Sequence, residues 1–372
     1  MRMGSSSGFA LALAICLSAT PARADEWDGS PPFSAPEIPV ADTAIGPLPI
    51  TVSKWNLADI PAPAPSSALI DLTPATLAEP HEEATDTYGP TQPFSPGSRL
   101  DGSGHIPRAY APYRGVFQQA GTIRTELAIL FVYMGAQSIP KLFKKTAPFH
   151  FKDEGWFGKD TANIGMDKLT HAFNTYLIAD ILHARLHRNT QGSEGDAVTA
   201  GVLAAGVMAL NEISDGIETD SGYSMQDIAM NLTGATLSVL RNTVPGLKDK
   251  FAFKIEIMPN ERIYSHVGKK HYAQQRFLFA LKGAGFEGLQ RSPLRFLDLQ
   301  IGYYATDFLN SDRAKGIEPK RHLFFGLGLN LGELLFGRSE SRFGRAAYSV
   351  LDHVQLPYTS LRVDTRGDFG HW

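Results

Sequence analysis

The hydrophobic period of this chain changes once, and that change constrains the fold more than any other feature. Between residues 124 and 240, apolar side chains recur at the three- and four-residue spacing of helices. From residue 251 onward, apolar side chains instead alternate with polar ones, as they do in strands. Helices grouped before strands predict an α+β architecture, with a helical bundle packed beside an antiparallel sheet.

Four helices are predicted, over residues 124–139, 167–187, 196–217 and 225–240. The first should stop at Pro140, and the last opens at Ser224, with Asp227 three positions on in a capping-box pattern. These helices are more apolar all round than an exposed helix, so we expect them to be buried in protein or partly in lipid. No apolar run reaches about 18 residues, so no ordinary spanning helix is predicted.

Four strands are predicted, over residues 251–258, 274–281, 295–308 and 322–336. The last two should form a hairpin around the polar loop 309–320, and each is long enough for an outer-membrane strand of about 9–11 residues. The alternative is an ordinary antiparallel sheet packed on the helices. Gly283, Gly285 and Gly288 match a dinucleotide-binding pattern, but no strand–helix–strand unit surrounds them, so we interpret them as a turn and expect no nucleotide.

The N-terminus has the pattern of a cleaved signal peptide over residues 1–24. Arg2 is followed by a short apolar stretch, and Ala22 and Ala24 are the small residues that a signal peptidase reads. Cys16, the one cysteine, has Ile15 before it, which is a poor context for lipid attachment. Cleavage after Ala24 leaves no cysteine for disulfides or thiolate metal ligands. We therefore predict an exported protein of the periplasm or outer membrane.

The rest of the chain divides by composition. Residues 25–107 hold 15 of the 24 prolines and 12 acidic residues against Lys54 and Arg99, which predicts a disordered acidic spacer. A helical bundle is expected over 108–250, strands over 251–340 and a C-terminal tail over 341–372. Residues 108–372 carry 31 basic and 26 acidic residues, a mild excess that suits an anionic membrane surface and gives no reason to expect nucleic acid.

Three of the apolar helices each carry one pair of polar residues at helical spacing. Because burying such groups singly would cost several kcal/mol, the pairs are expected to meet. The six residues of this candidate polar cluster are Asp167, His171, Glu212, Asp215, Asp227 and Asn231.

The motifs around the polar cluster carry a family resemblance. They read D-K-x-x-H from Asp167, E-x-x-D-G from Glu212 and G-x-S-x-x-D-x-x-x-N-x-x-G from Gly222 to Gly234. In order and spacing they resemble the YfiM-type family of predicted periplasmic lipoproteins, a domain of unknown function, and are distantly similar to VanZ-like membrane proteins. The resemblance covers roughly residues 110–335. It implies a location in the cell envelope and brings no established activity.

Several roles for the polar cluster stay open. Structurally, Asp227 would cap its helix, His171 would bond Asp167 or Glu212, and Asn231 would tie two helices at a tight contact. A second role is a site for a divalent metal ion, and a third is acid–base chemistry by His171 on a lipid-linked or cell-wall substrate.

Other polar and aromatic groups have simpler interpretations. His183 and His187 have no evident carboxylate partner and are interpreted as favourable charges at a helix C-terminus. The aromatic residues around Trp156 suit either a small separate core or a membrane interface.

The sequence thus favours a non-enzymatic envelope protein that associates with a membrane surface or an envelope protein complex. The alternative is an envelope enzyme or metal-binding protein that uses the polar cluster, and whether the chain is an enzyme stays open. No cofactor and no particular metal ligand set is predicted, and no catalytic residue is assigned.

Overall fold

The computed structural model describes residues 115–365, apart from 143–145, 191, 193–194, 220, 260–263 and 265–269. The predicted signal peptide and acidic spacer lie outside the described residues, as does the lipid-attachment question at Cys16.

The first half of the described chain is helical. Its helices are α1 (Val116–Thr122), α2 (Arg124–Leu142), α3 (Met166–Asn189), α4 (Asp196–Asp215), α5 (Met225–Thr243) and the short α6 (Leu247–Lys250). All four predicted helices are confirmed, although α2 runs through Pro140 to Leu142 instead of stopping there. Ser224 caps α5 by accepting a hydrogen bond from the backbone N–H of Asp227, as the capping pattern predicted.

Helix α3 is the centre of the fold. It packs against α4 and α5 on one side, and its apolar residues meet α2 and α4 in one core cluster. On its other side Phe173 and Tyr176 meet strand residues such as Phe253 and Phe277 in a second cluster. Among the described residues, helix α4 is long and apolar enough to cross a membrane, and half of that stretch is buried in the protein.

The second half of the chain forms one six-stranded sheet. Its strands are β1 (Phe251–Ile257), β2 (Gln275–Lys282), β3 (Leu297–Thr306), β4 (Lys320–Leu329), β5 (Val354–Gln355) and β6 (Ser360–Asp364), in the order β5-β1-β2-β3-β4-β6. All neighbours pair antiparallel except β1 and β5. The α+β class and the β3–β4 hairpin are therefore confirmed.

Short helices interrupt the strand region, and they account for three differences from the prediction. They are α7 (Lys270–Gln274), α8 (Asn310–Ala314), α9 (Leu331–Phe336) and α10 (Arg342–Leu351). The prediction of a strand over 322–336 was wrong beyond Leu329. There the Asn330 side chain accepts a hydrogen bond from the backbone N–H of Glu333 and so caps the start of α9. The loop 309–320 contains α8. The segment 341–372 contributes α10, β5 and β6, and the glycines from Gly283 to Gly288 lie in short 3-10 turns.

The two faces of the sheet differ in an unusual way. Phe279, Leu299 and their neighbours in register lie on one face, which α3 covers only in part. The opposite face is buried and carries charged side chains beside a small apolar cluster, with Lys254 Nζ 2.6 Å from Asp298 Oδ2. Arg362 of β6 donates to both carboxylate oxygens of Glu256 in β1, at 2.6 and 3.0 Å, although three strands lie between them. The sheet therefore curls around its polar face.

A buried charge network joins the helices to this polar face. Arg241 of α5, fully buried, pairs with Asp180 of α3 and with Asp352. Lys282 of β2 adds a second cation 2.7 Å from Asp352. Burial alone would raise the pKa of Asp352, but the adjacent Arg241 and Lys282 outweigh it and hold that pKa well below its ordinary value.

Candidate functional site

The polar cluster forms where one end of three helices meets. Asp167 and His171 lie in the first turns of α3, Glu212 lies in the last turn of α4, and Asp227 and Asn231 lie at the start of α5. All five have buried or nearly buried side chains. The preceding loop adds Glu154 to the same place through a hydrogen bond from Lys168.

Lys168 is the central cation of this arrangement. Its side chain is fully buried, and its ammonium nitrogen lies 2.8 Å from Glu154 Oε2, 2.8 Å from Asp227 Oδ1 and 3.0 Å from Asp167 Oδ2. Burial alone would lower the pKa of Lys168, but the three carboxylates outweigh it and raise the pKa above its ordinary value. The ammonium therefore already occupies the place that a cation would take among these carboxylates.

His171 lies between the helices, beside two acids and one amide. Its Nδ1 is 3.4 Å from Glu212 Oε1 and 3.3 Å from Asn231 Oδ1, and its Nε2 is 3.7 Å from Asp227 Oδ1. Burial by itself lowers the pKa of His171, but Asp227 and Glu212 outweigh it and raise that pKa. About 15% of the side chain stays exposed, so protons can reach the ring from solvent.

Glu212 and Asp227 differ in charge although both are buried. Burial raises the pKa of Glu212 to about 8, so this carboxyl is largely protonated at neutral pH. Its Oε1 has no hydrogen-bond partner within the described part of the chain. Burial would also raise the pKa of Asp227, but His171 and Lys168 outweigh it and lower that pKa. One acid thus holds a proton while its neighbour stays ionised.

Asn231 fixes the crossing of α3 and α5. Its Oδ1 accepts a 2.9 Å hydrogen bond from the hydroxyl of Thr175 on α3. Three residues further on, a Cβ atom at Gly234 would lie 2.0 Å from the carbonyl oxygen of Ala172. The two helix backbones can approach this closely because position 234 has no side chain.

The structure thus brings five of the six sequence-predicted residues into one connected group, and it adds Glu154 and Lys168. Asp215 lies at the edge of the group: its Oδ2 accepts a hydrogen bond from Asn211 on its own helix, and, besides burial, its charge helps to raise the pKa of Glu212. Lys168 belongs to the D-K-x-x-H motif, so the sequence carried a signal for it. Glu154 lies in an irregular loop, where no periodicity indicates its position.

A second polar group, which the sequence interpretation missed, lies at the opposite end of α3. The view that no carboxylate partners His183 and His187 was wrong. Asp196, the first residue of α4, has its Oδ1 3.2 Å from His183 Nε2 and its Oδ2 2.8 Å from His187 Nδ1. Burial raises the pKa of Asp196, but bonds from the two histidines outweigh it and lower the pKa to about 2. Burial lowers the pKa of His183, which keeps its ring neutral at pH 7.

The loop before α3 places aromatic rings near the polar cluster. The rings of Phe149, Phe151 and Tyr223 contact one another, with centroids 5.3 to 5.6 Å apart. A β-bridge joins Phe151 to Tyr223 and fixes the loop beside the start of α5. These rings form a small cluster of their own, while Trp156 is half exposed.

The comparisons with known proteins give one family match, which overlaps the polar cluster. Residues 153–243 match the model of a family described as "Predicted periplasmic lipoprotein (DUF2279)". The matched stretch comprises the end of the loop and helices α3 to α5, with all six residues of the polar cluster. It supports an exported protein of the periplasm or cell envelope, and the finer resemblance to YfiM-type and VanZ-like proteins stays a prediction. Neither the curated proteins nor the solved structures contain a match.

Proposed function

We propose that this chain is an exported, non-enzymatic envelope protein that is held at a phospholipid membrane by the apolar face of its sheet. The family match supports the compartment, and the signal-peptide pattern at residues 1–24 supports export. The observation that carries the proposal is the inverted burial of the sheet, which exposes apolar side chains and buries charged ones.

The apolar sheet face is defined by nine large side chains that are 41 to 83% exposed. They are Phe279, Leu281, Leu299, Ile301, Phe325, Leu327, Leu329, Leu361 and Val363. Strand pairing puts them side by side across β2, β3, β4 and β6. At about 170 Å² for a fully exposed residue of this size, they present roughly 800 Å², above the ~300–600 Å² of the largest apolar patch on a typical monomer.

The charged side chains on the opposite face show that this sheet is reversed relative to an ordinary antiparallel sheet. An antiparallel sheet with one wet face ordinarily turns its polar side chains outward. Here Lys254, Asp298 and Glu256 are buried instead, and ion pairs satisfy them. A surrounding medium that favours apolar contact explains both faces, because charges are then better enclosed in the protein.

A phospholipid surface fits the border of this face better than a protein partner does. Strand β4 continues into α9 and α10, where Leu335 and Phe343 are exposed. Arg338 and Arg342 are exposed in the same segment. Apolar side chains interspersed with arginines are typical of segments that lie in the interface of an anionic membrane, with arginine heads at the phosphates.

The test is flotation of the purified mature protein with vesicles of phosphatidylethanolamine and phosphatidylglycerol. Leu361 is 83% exposed, so Leu361→Asp removes little packing within the protein. The variant loses the burial of one leucine side chain in lipid, which is worth about 1.5–3 kcal/mol, so binding should weaken about tenfold or more. The control Thr236→Asp, at an exposed position on α5, should float like the wild type.

Two results would contradict membrane retention by this face. One is wild-type protein that stays with the soluble fraction at all lipid concentrations. The other is Leu361→Asp protein that floats as well as Thr236→Asp. Co-purification with a membrane protein, without binding to protein-free vesicles, would favour the envelope complex instead.

A second candidate function is acid–base chemistry in the polar cluster, on a lipid-linked or cell-wall substrate. The observation in its favour is the protonated Glu212 beside the partly exposed His171. If His171 works in this way, His171→Ala protein should be as abundant as wild type but fail to restore the phenotype of a deletion strain. A folded, abundant variant that restores it fully would rule out a catalytic His171.

A further inference from the structure

A compact group of two histidines and one aspartate closes the turn between α3 and α4. His183 and His187 are four residues apart on α3 and therefore share a face. Asp196 reaches both from α4, with one carboxylate oxygen near each ring. We call this group the His–Asp site. It lies at the opposite end of α3 from the polar cluster and is independent of the proposed membrane face.

We propose that the His–Asp site binds a divalent transition-metal ion of the zinc type, with His183, His187 and Asp196 as ligands. Two imidazoles and one carboxylate are the donor set of many zinc sites that keep a fourth position open. The site would clip the C-terminal end of α3 to the start of α4.

The distances within the group suit one ion. Ligand atoms about 2.0–2.1 Å from a tetrahedral zinc ion are separated from one another by roughly 3.3 Å. The observed nitrogen–oxygen separations are 3.2 Å for His183 and 2.8 Å for His187, and one potential ligand atom from each of the three residues lies within 4.8 Å of the other two. Small side-chain rotations therefore suffice to bring all three to one ion.

Two of the three side chains are enclosed, and the third is open to solvent. His183 and Asp196 are enclosed, with 5% and 10% of their side chains exposed, which keeps competing water away. His187 is 27% exposed and provides the path by which an ion and a fourth ligand can enter. The neighbouring Gly192 has φ +80°, and a Cβ there would lie 3.3 Å from the His187 ring, so glycine lets the turn pass closely over this ligand.

Of the three candidate metal sites in the described residues, this is the one whose carboxylate pairs with the site's own histidines and not with a lysine. In the group of Glu154, Asp167 and Asp227, the ammonium of Lys168 occupies the centre. In the group of His171, Glu212 and Asp227, the same Lys168 bonds Asp227, and Glu212 retains its proton at neutral pH.

The experiment is a titration of tag-free, metal-free mature protein with Zn²⁺ against a chelating indicator. We expect one site per chain, lost in His187→Ala and kept in His171→Ala, which removes the histidine of the polar cluster. The partly exposed His187 is chosen because its removal disturbs the core least. Zn²⁺ affinity should fall at least about 100-fold in His187→Ala, because even removing a residue that only supports a ligand costs about 10–100-fold.

A second measurement detects ion binding through the thermal stability of the protein. Saturating Zn²⁺ should raise the Tm of wild type and of His171→Ala, and leave that of His187→Ala unchanged, because an ion that binds the folded state stabilises it. Absence of saturable binding would overturn the proposal. So would binding that survives in His187→Ala, whether or not His171→Ala abolishes it, because the ion would then lie elsewhere.

Discussion

Gly234 lies where α5 crosses α3, and its replacement by alanine should be strongly destabilising. The new Cβ would lie 2.0 Å from the carbonyl oxygen of Ala172 and 3.0 Å from the backbone nitrogen of Tyr176. Both are backbone atoms inside α3, which the sheet holds on its other side, so no side-chain rotation can relieve the overlap. The helices must separate by about 1 Å to restore ordinary contact distances.

The magnitude follows from three contributions. Overpacking of this kind costs about 1–3 kcal/mol, and occasionally more. Separation of the helices also loosens the buried hydrogen bond between Thr175 and Asn231, worth about 1 kcal/mol. Alanine returns up to about 1 kcal/mol through its higher helix propensity. Gly234→Ala should therefore lower the free energy of unfolding by about 1–3 kcal/mol.

Gly206, in the interior of α4, provides a matched control. A Cβ there would meet nothing within 4 Å, so Gly206→Ala should raise the free energy of unfolding by about 0.5–1 kcal/mol. The assay is urea denaturation followed by circular dichroism, with the slope m checked for constancy. If the free energies of unfolding of the two variants differ by less than about 1 kcal/mol, the close approach of α5 to α3 does not depend on a glycine at position 234.

The buried charges give two further predictions. Asp298→Asn leaves the enclosed ammonium of Lys254 without its carboxylate and should lower the free energy of unfolding by about 3–5 kcal/mol. The control Asp307→Asn, at the exposed pair with Lys320, should change that free energy little. Equal losses of the two variants in urea denaturation would contradict this prediction. Because the folded-state pKa of Glu212 is raised from 4.5 to about 8, its stabilising contribution is present below pH 4.5 and is lost as the pH rises to 8. The Tm of wild type should therefore fall over that range more than the Tm of Glu212→Gln, and parallel Tm profiles would show that Glu212 is not protonated.

Much of the fold could be predicted because its hydrophobic periods are long. Helices α3 to α5 and strands β3 and β4 span ten residues or more, so their spacing is unambiguous. The short elements could not be predicted from pattern. Residues 331–336 read LGELLF and continue the apolar character of β4, and only the capping contact of Asn330 turns them into a helix. Strand β5 has two residues, and its pairing with β1 depends on tertiary contacts that no local pattern encodes.

For the two polar groups, the sequence predicted neighbours on one helix better than neighbours across helices. The rule that residues four apart share a face placed Asp167 beside His171, and the cost of burying polar groups implied that the pairs meet. Asp196 escaped notice because it lies across a turn from His187, on the next helix. The signal was present, since the short connection between α3 and α4 makes the helices antiparallel and puts the first turn of α4 beside the last turn of α3.

The proposed membrane contact would account together for the buried charges of the sheet and for its exposed apolar face. In water, a chain lowers its free energy by exposing charges, yet Lys254 and Glu256 of the sheet are enclosed here with oppositely charged partners. When a protein is surrounded by water, burying an ion pair inside it stabilises the fold little, because the desolvation cost offsets the attraction between the charges. Where the sheet faces lipid, an inward charge is favoured over an outward one, because the outward charge would lie in hydrocarbon. Inward charges combined with an outward apolar sheet face are therefore the arrangement that the proposed membrane contact predicts.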